Sequence, residues 1–60
     1  MSPSIVTIEQ LDIEISLAYI ALGGARGVFS RCPSAENEDR VADAAAEVDR
    51  LLDQRLAALP

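Results

Sequence analysis

Between Ile8 and Leu22 the apolar residues sort onto two opposite sides of a helix, and this pattern constrains the chain more than any other feature. Ile8, Leu11, Ile15, Ala18 and Leu22 follow one another at spacings of 3, 4, 3 and 4, the a/d stripe of a heptad pattern. At about 100° per residue, Ile13, Leu17, Ile20 and Ala21 fall roughly opposite that stripe. Polar residues are squeezed between the two, with Glu9, Asp12 and Ser16 on one flank and Gln10 and Glu14 on the other. A helix that is apolar on two faces must be covered on two faces. One other helix of the same chain covers only one, so the second face calls for another chain.

Both ends of this block carry helix signals. Thr7 can cap the first turn, with Gln10 three residues on completing a capping box. Glu9 sits where the helix dipole favours an acid, and Gly23-Gly24 reads as a stop. A strand reading competes, because Leu11, Ile13, Ile15, Leu17 and Tyr19 alternate with Asp12, Glu14, Ser16 and Ala18. The length of the block, its end signals and the lack of a second strand to pair with favour the helix.

The stretch from Gly23 to Pro33 holds three glycines and a proline, which predicts a loop. Val28 and Phe29 within it are expected to pack back against the helices. Beyond it, Ser34 is a candidate N-cap and Glu36, Glu38 and Asp39 load the first turns with negative charge. Val41, Ala44/Ala45, Val48, Leu51/Leu52, Leu56 and Leu59 make one apolar stripe on an otherwise charged surface. Glu36–Arg40, Glu47–Arg50 and Arg50–Asp53 stand at spacings that stabilise a helix. The expected organisation over residues 1–60 is one small helical domain: helix about 7–22, loop about 23–34, helix about 35–59. The fold class is therefore all-α, a two-helix antiparallel hairpin, with two hairpins associating into a four-helix bundle.

Size supports the need for a second chain. A chain of 60 residues buries only about 60% of its unfolded surface, so it needs a staple. One cysteine cannot close an internal disulfide, and one cysteine without histidine excludes the usual structural zinc sites. Association remains, either with itself as a homodimer or tetramer or with a helical protein partner. The net charge of −5 disfavours nucleic acid and anionic membranes as partners. No run of 18 apolar residues is present, and the N-terminal part has acids rather than a basic leader. The lone cysteine fits a reducing, cytoplasmic compartment. Abundant alanine, and arginine without lysine, resemble the usage of a high-GC bacterial genome.

Few residues offer chemistry. Arg26 and Arg31, set in the glycine-bearing stretch, could form an anion-binding corner, or simply be solvated. Cys32 lies beside Arg31 and near a helix start, features that activate a thiol, or it is a plain loop residue. Glu36, Asp39, Asp43 and Glu47 share one flank of the second helix, where a solvated acidic face is the plainer reading than a metal site. No cofactor is expected. Ala46–Leu56, AEVDRLLDQRL, resembles part of the long first helix of the all-helical chorismate mutases. That family binds its dicarboxylate with several arginines and a lysine; this chain has no lysine and is short for that protomer, so no active site is carried over. The overall plan resembles the short helical-hairpin phosphatases that act on response regulators, yet their Ser-x-x-x-Asp signature is replaced by Ser34 and Glu38.

The expected function is that of a small non-catalytic interaction or regulatory protein, with Ile13, Leu17 and Ile20 as its working surface. A second class is an acidic inhibitor that mimics nucleic acid and fills a partner's basic groove, since residues 32–60 carry seven acids against three arginines. A third is a small enzyme with a site at a subunit interface, drawing on Asp, Glu, Arg, Ser, Tyr19 or Cys32.

Overall fold

The computed structural model describes residues 7–58. They form two antiparallel helices, α1 (Ile8–Arg31) and α2 (Ala35–Ala58), joined by the turn 32–34. There is no strand among the described residues. The all-α hairpin is the fold, and the alternation of Leu11 to Tyr19 is the by-product of a helix with two apolar faces.

The start of α1 is the capping box expected from sequence. The Gln10 N–H donates to Thr7 Oγ1 at 3.0 Å, and the Thr7 N–H donates to Gln10 Oε1 at 3.2 Å. The end of α1 is not where the glycines placed it. The helix runs through Gly23 and Gly24 to Arg31, so the expected loop of 23–34 shrinks to a three-residue turn. No glycine adopts a positive φ, so none acts as a left-handed cap. The physical reason lies in the apolar spacing. Ala25 and Phe29, both half-buried, continue the stripe after Leu22 at spacings of 3 and 4. Packing of that stripe on α2 outweighs the cost of glycine in a helix, about 1 kcal/mol each against alanine. Val28, expected to fold back with Phe29, instead stays exposed on α1.

The turn is closed by polar groups. The Cys32 N–H donates to the Val28 carbonyl at 2.8 Å and ends α1. Ser34 caps α2, its hydroxyl accepting from the Asn37 N–H at 3.1 Å, as its position predicts. Asn37 Nδ2 reaches back across the turn to the Cys32 carbonyl at 2.7 Å. One side chain thus ties both helix ends together.

The core is a single seam. Leu11, Ile15, Ala18 and Leu22 of α1 bury against Val48 and Leu51 of α2, with Ile8, Val41, Ala44 and Ala45 packed around them. Leu52 and Leu56, counted in the α2 stripe from sequence, lie outside the seam, Leu56 at 70% exposure. A single facing helix covers a narrow stripe, and Val48, Leu51 and Arg55 already fill it. Leu59, the expected end of the stripe, lies outside the described residues.

Two ion pairs occur among the described residues. Arg50 grips Glu47 through Nε and Nη2 at 2.8 and 2.7 Å, a fork geometry that occupies the guanidinium and leaves the expected Arg50–Asp53 pair unformed. The expected Glu36–Arg40 pair is not formed either; both side chains stand in solvent. Arg55 Nε donates to Asp12 Oδ1 at 2.6 Å and links α2 to α1.

Candidate functional site: the outer face of α1

Each turn of α1 has an inner side against α2 and an outer side with nothing on it. Ile13, Leu17 and Ile20 stand on the outer side at 62%, 60% and 71% exposure. Their spacing of 4 and 3 repeats the spacing of the buried stripe, displaced by two residues, or about 200°. The same outer line continues through Gly24 and Gly27, flanked by exposed Val28. A Cβ built on Gly23 or Gly24 would meet nothing, so the backbone itself is the surface there. At Gly27 the nearest neighbour to such a Cβ is the guanidinium of Arg31, which folds back one turn along the helix. The outer face therefore has a bulky half, Ile13 to Ile20, and a bare half, Gly24 to Gly27.

Charge is also divided along this face. Glu9 occupies the outer side at the N-terminal end and Arg31 the outer side at the C-terminal end. Both also complement the dipole of α1, with the acid in the first turn and the base in the last.

The two arginines singled out from sequence are placed differently from expectation. Arg26 and Arg31 are not in a loop, because α1 continues through them. Five residues apart on a helix, they point about 140° away from each other, so no two-guanidinium corner forms. Their backbone N–H groups belong to the helix and are not free for an anion. Cys32 is exposed at the end of α1, with its backbone held by Val28 and Asn37. It lies two residues before Ser34, the cap of α2, near a helix start as expected.

On α2, Glu36, Asp39 and Asp43 point to solvent and Glu47 is taken by Arg50. That bond holds the Glu47 carboxyl below the usual carboxylate range and pushes Arg50 further up. Among the described residues no group of three or more acids, cysteines or histidines is gathered to hold a metal ion. Two shallow grooves flank the helix seam, one lined by Leu11, Gln54, Ala57 and Ala58, the other by Glu14, Leu17, Ala18, Glu47 and Leu51. Both are open to solvent and mainly apolar. No described helix is long and apolar enough to cross a membrane.

The bare half of the face and the pairing of Arg55 with Asp12 were missed at the level of sequence. The first had a signal, since 24 and 27 continue the line of 13, 17 and 20. The second had none, because two residues 43 apart meet only once the hairpin register is known.

The chain matches no protein-family model, and neither a curated protein nor a solved structure shows significant similarity to it.

Proposed function

We propose that this chain is a small non-catalytic interaction protein that works through the outer face of α1, and that its first partner is a second copy of itself. The observation that carries the reading is the row Ile13, Leu17 and Ile20, three large aliphatic side chains each more than half exposed on one line of one helix. Single exposed apolar residues are ordinary, but a contiguous row on a rigid element marks an interaction site.

Magnitudes support self-association at protein concentrations in reach of experiment. Covering such a side chain contributes about 1–2 kcal/mol, taken as part of the 1.5–3 kcal/mol for full burial. Two copies bring six of them, about 6–12 kcal/mol together. Association costs about 4–15 kcal/mol in lost freedom. The two terms are of similar size, so the dimer is set by concentration rather than permanent.

The proposed assembly is a four-helix arrangement of a particular kind. A square bundle asks each helix to bury two neighbouring sides. Here the inner and outer stripes of α1 lie nearly opposite. Two copies would therefore stack as a row, with the two α1 helices in the middle and α2 outermost. The acidic side of α2 then faces outward and keeps the assembly soluble. We place this protein in the cytoplasm of a bacterium, on its single cysteine and its arginine-only, alanine-rich composition.

Ile13→Glu tests the reading. In sedimentation over micromolar to millimolar protein, the wild type is expected to gain mass with concentration and the variant to stay at 6.4 kDa. An unchanged mass profile in the variant rejects the outer face as the interface. Salt separates the acidic-mimic reading: binding of a basic partner through the acids of α2 weakens steeply with salt, whereas self-association through the apolar row persists.

A further inference from the structure

We propose that two copies meet antiparallel through α1, with Ile20 on the twofold axis, the bulky half of each face on the bare half of the other, and Glu9 of each copy paired with Arg31 of its partner. This rests on the reading that α1 associates with itself, and it adds orientation and register.

The register follows from how the face is laid out around Ile20. Ile13 lies seven residues before it and Gly27 seven after; Leu17 lies three before and Gly24 four after. An antiparallel twofold at Ile20 therefore sets Ile13 level with Gly27, and Leu17 level with Gly23 and one residue from Gly24. Large meets small at both places, and the helices can approach closely where no Cβ stands in the way. Only at the centre does a side chain meet its own copy. A parallel pairing would put Leu17 on Leu17 and Gly24 on Gly24, crowding one half and leaving a void in the other.

Charge selects the same arrangement independently. Glu9 lies eleven residues before Ile20 and Arg31 eleven after, and both are on the outer side. The antiparallel register brings them together twice, once at each end of a contact about 33 Å long. The parallel register brings Glu9 to Glu9 and Arg31 to Arg31. The Arg31 guanidinium already lies back along the outer face toward Gly27. It therefore needs only a side-chain rotation to meet a carboxylate one turn beyond a partner's Ile13. A twofold interface in which residue i meets j and j meets i is the usual form of a homodimer.

Cysteine cross-linking in the full chain tests orientation and register together. In a Cys32→Ser background, Ile20→Cys is expected to form a disulfide-linked dimer under mild oxidation, because the two copies face each other on the axis. Leu17→Cys is expected to stay uncross-linked, because antiparallel copies of residue 17 stand about 9 Å apart along the axis. A second measurement uses charge. Glu9→Arg and Arg31→Glu alone are each expected to weaken the dimer about tenfold, and the two together to return it to within about threefold of wild type. Both dipole contacts are lost in the double variant, so recovery cannot come from within one helix. Cross-linking at both positions, or a dimer indifferent to the charge swap, overturns the register while leaving self-association standing. A wild type that stays monomeric throughout overturns the reading on which the register rests.

Discussion

Gly23 shows how a residue with strong local preference yields to its surroundings. Its neighbours Leu22, Ala25 and Phe29 carry the inner stripe past it, and the helix follows the stripe. Because a Cβ there would meet open space and φ is ordinary, Gly23→Ala is expected to stabilise the hairpin by about 0.5–1 kcal/mol. Thermal unfolding followed by circular dichroism reads this as a rise of about 2–8 °C. A fall in Tm would mean that the chain bends at the glycines. The opposite sign is expected at the heart of the seam. Leu11 is 1% exposed, and Leu11→Ala is expected to cost about 2–5 kcal/mol. A chain of this size has little stability to spare, so urea unfolding of the variant should show little or no folded baseline.

At the scale of the elements, the helix starts were legible in sequence and the end of α1 was not. Thr7 with Gln10, and Ser34, are short-range signals whose partners lie three residues away, so spacing alone locates them. The end of α1 depends on whether α2 lies opposite Ala25 and Phe29, which is tertiary information. Reading Gly-Gly as a stop took a local cost for a decision, although the 3–4 spacing ran on unbroken to Phe29. Asn37 matters for the same reason: it bonds the Cys32 carbonyl across a turn that exists only because α1 is long. Asn37→Ala is expected to cost about 0.5–1.5 kcal/mol in chemical denaturation. The Glu47–Arg50 fork gives a pH dependence of definite sign. The folded carboxyl titrates below its ordinary value, so the contribution of the pair is complete at neutral pH. It is lost as pH falls through that lowered folded value. Glu47→Gln should therefore lower stability at neutral pH and flatten the acid limb of the profile, the variant and wild type converging below that folded value.

At the scale of the whole molecule, extents of 45 × 22 × 15 Å describe a body one helix thick. A single layer cannot bury both sides of α1, and the three aliphatic residues left outside are the consequence. The candidate face was legible in sequence as Ile13, Leu17 and Ile20, because two stripes on one helix exceed what one partner helix covers. Its bare half was obscured by the expectation of a loop, which also gathered Arg26 and Arg31 into a corner that the helix pulls apart. Continuity of α1 places Gly24, Gly27 and Arg31 on the far half of one long surface, with Glu9 and Arg31 at its ends, and turns Arg26 away from it. The most direct test is the solution mass of the wild-type chain by light scattering, with circular dichroism on the same sample, from micromolar to millimolar concentration. A helical species rising from 6.4 kDa toward twice that mass is the expected result. A chain that stays at 6.4 kDa over the whole range contradicts self-association, and weak helicity in that monomer would point to a helical partner of another sequence.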